Sequence, residues 1–128
     1  MPELLWPEVV TVLVGALACC GVETLETMHG WSASAFDENP AFEAWQWVTL
    51  PVPLAAFPAL LRERQAQGLR LGHDDWFLFG TVPFAWEVKL CHEGDLHLQT
   101  GEPALLEQLA NGLEPLGIRL VRHEKRLP

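Results

Sequence analysis

Apolar residues recur along this chain with two different periods, and the changes of period mark out its elements. Leu54, Phe57, Leu60 and Leu61 stand at helical spacing, with Arg62, Glu63, Gln65 and Gln67 on the opposite side. Pro58 fits the first turn of such a helix, which starts near Ala56 and closes at Gly68. Leu105, Leu106, Leu109 and Leu113 form a second apolar stripe behind Pro103. A third helix is predicted over residues 7–20, opened by Pro7 and Glu8 and stopped near Gly21. Its β-branched stretch would also suit a strand. As a helix it is apolar almost all round, which predicts a central position.

Alternation predicts strands over residues 76–79, 85–92, 96–100 and 118–122. A further strand is expected over 44–52, with Trp45, Trp47 and Thr49 on one face, ended by Pro51 and Pro53. Residues 22–28 fit neither period. Residues 30–40 read as a loop that exposes Trp31 and Phe36, and residues 72–75 as a polar turn. One register can be argued. A three-residue loop Glu93-Gly94-Asp95 puts Trp86, Val88 and Leu90 on the same face as Leu96 and Leu98. It pairs Leu90 with Leu98 and sets Cys91 opposite His97. The elements describe one α+β domain over residues 1–128: an antiparallel sheet of four or five strands, with about three helices packed mainly on one face.

Charge narrows the partners. The chain is acidic, with net charge −9. No Lys or Arg occurs before Arg62, whereas Glu3, Glu8, Glu23, Glu26, Asp37, Glu38 and Glu43 all precede it. Nucleic-acid and anionic-membrane binding draw on Lys and Arg, so both are excluded as expectations. A basic protein partner suits such a field. Residue usage, with no Tyr and a single Ile, points to a GC-rich, bacterial genome.

The run from Val9 to Val22 is too short to span a bilayer, and the segment before it carries two Glu and no base, the wrong sign for a signal peptide. A cytoplasmic protein is therefore expected. Its three thiols, the vicinal Cys19 and Cys20 and the separate Cys91, make a poor disulfide framework, and Cys19 and Cys20 are expected to be reduced and largely buried.

No catalytic, cofactor-binding or metal motif emerges. Cys91 beside His97 has the residue types of a nucleophilic pair but no third group or oxyanion motif. His73-Asp74-Asp75 offers adjacent ligands without separated companions, and reads as a polar turn. His29, His92 and His123 stand isolated, and Glu23, Glu26, Asp37 and Glu38 could form a carboxylate dyad only if folding brought them together.

The aromatics carry the functional expectation. Trp31, Phe36, Trp45 and Trp47 lie in the base-free half beside Asp37 and Glu38, and these six are the candidate interaction residues. The favoured reading is a non-enzymatic interaction module, an inhibitor- or antidote-like binder of a basic partner, needing no cofactor or metal. The alternatives are an enzyme or small-molecule-binding domain assembled from distant residues, and a homodimer joined through its Trp patch.

Overall fold

Helix α1 (Trp6–Cys19) forms where Pro7 occupies the first turn and Glu8 meets the positive end of the helix dipole. The computed structural model describes residue 2 and residues 5–122. The helix ends as Val22 N–H donates to the Leu17 carbonyl at 3.0 Å. Trp6, Val9, Val10, Leu13, Ala16 and Leu17 are buried, each large side chain contributing about 1.5–3 kcal/mol by leaving water. Pro7, Glu8, Thr11, Gly15, Ala18 and Cys19 are exposed. The helix is thus peripheral rather than central; small residues on its outer side disguised a solvent-facing stripe as an apolar one.

After α1 come β1 (Thr24–Ser32), a 3-10 turn (Ala35–Glu38), α2 (Phe42–Trp45), β2 (Leu50–Pro53), α3 (Phe57–Ala66), β3 (Asp74–Gly80), β4 (Trp86–Leu90), β5 (Leu96–Thr100) and α4 (Pro103–Leu113). The strands form one antiparallel sheet in the order β2-β1-β3-β4-β5. Leu25, Trp76, Leu78, Val88 and Leu90 project from one face into the core, where they meet Leu13, Leu17, Phe57, Leu105 and Leu109 of the helices. The α+β reading with helices on one face holds. Helices α1 and α4 pack against each other. No helix of the described residues is long and apolar enough to cross a membrane.

Three predicted elements differ. Of residues 44–52, only the last three are strand, in β2; residues 44–49 are not. Asn39 Oδ1 accepts from Ala41 N–H (2.8 Å), and Phe42 buries itself against Phe36, which winds residues 42–45 into a helical turn. Trp47 then takes a left-handed backbone (φ 62), so Trp45 and Trp47 share no strand face. Pro51 and Pro53 lie inside the short edge strand β2, where prolines deny hydrogen bonds to further strands. The expected loop over 30–40 begins only after Ser32, because β1 continues through Gly30 and Trp31; its inward Thr27 and His29 are polar and hid the alternation. Residues 118–122 form no strand. Ile118 N–H instead closes the turn after α4 on Leu113 O, and Ile118 and Leu120 pack on the core without pairing.

The β4–β5 hairpin keeps the expected shared face but not the expected pairs. Leu90 faces Leu96, Val88 faces Leu98 and Lys89 faces His97. The loop is three residues long, His92-Glu93-Gly94, one position earlier than predicted. Gly94 N–H donates to Cys91 O and Cys91 N–H to Asp95 O, a tight turn with a bulge. That turn needs its last residue left-handed, and Gly94 has φ 83. Glycine chemistry therefore sets the loop's position, and the loss is a two-residue slip that takes Cys91 away from His97 in the ladder.

Candidate functional site

No helix of the described residues packs on the sheet's second face. In register across it run Met28, Phe77, Lys89 and His97, and beside them Glu26, Phe79, Glu87 and Gln99. Phe77 and Phe79 are only half-buried although they face away from the core. Trp47 lies over this row, its ring 6.4 Å from that of Phe77, and 57% of the residue is exposed. Its N–H donates to His29 O at 2.8 Å, which fixes the strained backbone that displays the indole. Gly30 makes room: a Cβ there would stand 2.8 Å from the Phe77 ring and 3.3 Å from that of Trp47. Trp31, 49% exposed, extends the patch at a bulge in β1.

Behind Trp31 stands a polar brace. The Trp31 and His92 rings meet edge-on at 4.7 Å. His92 donates its backbone N–H to Asp75 Oδ1 at 2.8 Å, and its Nδ1 also lies 2.8 Å from that oxygen. Lys89 Nζ stands 3.9 Å from Asp75 Oδ2 and 5.5 Å from the Phe77 ring. Of the polar turn expected over 72–75, residues 72–73 form a turn, while Asp74 and Asp75 open strand β3. Asp74 and Asp75 are buried and each holds a segment of the fold. His92 is likewise engaged, His29 is enclosed by the rings of Phe36, Trp45 and Trp76, and His123 lies outside the described residues.

Of the six candidate residues, Trp31 and Trp47 are displayed on this open face. Phe36 is fully buried against His29 and Phe42, so it exposes no ring. Trp45 is half-buried between Phe36 and the Arg64 guanidinium. Asp37 and Glu38 are exposed on the 3-10 turn that Phe36 anchors beneath the core side of the sheet. The carboxylates placed directly beside an open-face aromatic are Glu26 and Glu87, which flank Phe79 in register. A shallow depression of about 720 Å³, lined by Met28, Phe79, Trp86, Glu87 and Gln99 among others, continues the surface. The uninterrupted apolar run Trp76-Phe77-Leu78-Phe79 was the available signal: a strand with one solvated face should alternate.

Two groups of potential metal ligands meet at Cys91, one with Asp75 and His92 and one with Asp95 and His97. In each, the ligand atoms lie within 4.8 Å of one another. Their donors and acceptors already satisfy each other, His97 Nε2 standing 3.0 Å from Asp95 Oδ2. Cys91 Sγ is 3.9 Å from His92 Nδ1, the same nitrogen that meets Asp75. A relay needs the thiol and the carboxylate on opposite ring nitrogens, so this is no nucleophilic triad. Burial also pushes the Cys91 thiol above its ordinary pKa, away from the reactive thiolate.

All three thiols are free, but Cys19 is exposed and Cys20 only half-buried, contrary to their expected burial. They sit where α1 ends, two and three residues beyond Leu17, its last fully buried residue. A disulfide-exchange reagent should modify Cys19 rapidly in the native protein and reach Cys91 only at the rate of opening. Mass spectrometry of the time course checks this order. Fast labelling of Cys91 would contradict its packing.

No protein family, curated protein or solved structure matches the chain, which leaves geometry as the guide to function.

Proposed function

We propose that this is a cytoplasmic protein-interaction module that docks a basic, partly apolar partner on the open face of its sheet. The observation that carries the reading is the display of Trp31 and Trp47, 49% and 57% exposed, Trp47 over the outward Phe77 and Trp31 against His92, on a face that no helix of the described residues covers. Large aromatics left in water at a fixed position are what binding hot spots are made of. The charge pattern supports a basic partner: Glu26 and Glu87 stand unpaired by any base among the described residues, while Lys89 is already engaged by Asp75. Asp37 and Glu38 add to the field at longer range.

The test is capture from the native host by wild-type protein and by a Trp31→Ala/Trp47→Ala variant. A specific basic protein should bind the wild type, and the variant should lose on the order of 2 kcal/mol or more, about thirtyfold in affinity. Its folding stability should fall far less, by about 1 kcal/mol or under. Glu26→Gln/Glu87→Gln should slow association more than Asp37→Asn/Glu38→Gln, and the difference should shrink as the Debye length falls from roughly 10 Å at 0.1 M salt to roughly 3 Å at 1 M. A partner bound equally by the Trp variant sinks the assignment of this face. Recovery of this chain alone, with dimerisation lost in the variant, would replace it with the self-association reading.

A further inference from the structure

On the helix-bearing side of the sheet a cavity of about 150 Å³ lies between β1, the segment joining α2 to β2, and α3, sharing Met28 with the depression on the open face. Trp45, Val48, Leu60 and Thr27 give it mainly apolar walls. Arg64 and His29 also line it, and both residues are more than nine-tenths buried: Arg64 at 7% exposure and His29 at 4%. Arg64 Nε and His29 Nδ1 are shielded from solvent and have no hydrogen-bond partner among the described residues. The Arg64 guanidinium stacks on Trp45, with Cζ 3.7 Å from the ring centroid, and one terminal nitrogen reaches Gln67 Oε1 at a long 3.4 Å. None of the ion pairs among the described residues includes it. Glu63 acts on it electrostatically without forming an ion pair, and a cation drawn out of water without a direct counter-charge is unfavourable. Beside a cavity, the counter-charge can arrive as a ligand.

We propose that this cavity binds a small monocarboxylate with an apolar body, its carboxylate meeting the guanidinium edge of Arg64 beside His29. The guanidinium's face is covered by Trp45, which leaves its edge for an in-plane partner, and a planar carboxylate matches that fork. One negative charge fits because Arg64 is the single cation lining the cavity; burial and the nearby guanidinium keep His29 neutral at neutral pH. A dianion would bury an unpaired charge. The size suits a six-carbon body, since an apolar cavity of roughly 150 Å³ accommodates benzene.

Benzoate is the probe, titrated into the full chain by calorimetry and by the indole N–H resonances, with benzyl alcohol and inorganic phosphate in parallel. Saturable benzoate binding should exceed that of benzyl alcohol by at least about tenfold, and Arg64→Gln should remove a similar factor, as expected for a charge-assisted hydrogen bond. Val48→Trp narrows the cavity at a 56% exposed position and leaves Arg64 in place, so it should block benzoate even if Arg64→Gln fails to fold. The proposal is overturned if folded wild-type protein binds no benzoate. Equal affinity for benzyl alcohol, tighter binding of phosphate, or full affinity in a folded Arg64→Gln variant would overturn it too. None of these outcomes depends on Trp31 or Trp47, so the cavity and the open face stand or fall separately.

Discussion

Asp74→Ala is expected to be the most damaging single substitution outside the apolar core. Asp74 is 1% exposed and accepts four hydrogen bonds. Ser32 Oγ–H (2.6 Å) and Ala33 N–H (3.0 Å) donate to one carboxylate oxygen. Arg70 N–H (2.7 Å) and the Ser34 hydroxyl donate to the other. One side chain thereby ties the end of β1 to the start of β3 and sets the Ser34 cap of the 3-10 turn that buries Phe36. Removing it strands several inward donors, each costing about 1–3 kcal/mol, with partial relief from water. The expected loss is about 3–5 kcal/mol, the range found when one partner of a buried charged network is deleted. Asp74→Asn should cost nearly as much, because its amide group presents donors where two donors already point. Urea unfolding reads the result as a lower midpoint with an unchanged slope. A loss below about 1 kcal/mol in Asp74→Ala would show that the carboxylate does not organise this corner.

That network also shows why part of the fold was hard to read. Elements whose inward residues are all apolar, such as Trp86/Val88/Leu90 and Leu105/Leu109/Leu113, match their predicted type closely. Strand β1 escaped because Thr27, His29 and Ser32 point inward, and each needs a partner that only the folded chain supplies. Thr27, for example, donates to Phe77 O at 2.9 Å. His73-Asp74-Asp75 read as a polar turn for the same reason: a buried carboxylate is indistinguishable from an exposed one until its donors are located. The opposite error arose at 44–52, where Trp45 and Trp47 alternate by coincidence across a helical turn and a left-handed residue.

The candidate site was half legible. Trp31 and Trp47 stood out by type, but the open face that joins them depends on Phe77 and Phe79, hidden inside an apolar run that reads as core. Arg64 continues the helical stripe of Phe57, Leu60 and Leu61 at the next turn, so its burial was present in the spacing. A charge on an apolar stripe is the signal that distinguishes a lined cavity from plain packing.

The second large effect is expected with pH, through His29. Its ring is enclosed by Phe36 at 4.9 Å, Trp76 at 4.8 Å and Trp45 at 6.3 Å. Burial, reinforced by the Arg64 charge and only partly opposed by Asp74, lowers its pKa from 6.5 to about 4. The unfolded chain therefore takes up this proton near pH 6.5, and the native protein does so only near pH 4. Between those values the unfolded state binds more protons, so stability falls as pH falls through the window, and it recovers on the way back up. Each unit of difference is worth about 1.36 kcal/mol, which gives a loss of about 3 kcal/mol once the pH is below both values. His29→Phe removes the titrating group and keeps a flat ring among the same aromatics. Urea unfolding of both proteins between pH 7 and pH 4 separates this contribution from the carboxylates, which titrate in both. The wild type should lose about 3 kcal/mol more than the variant across the window. Parallel stability curves, or a His29 imidazole proton resonance titrating above pH 6 in the native protein, would show that the ring is not held neutral by its burial.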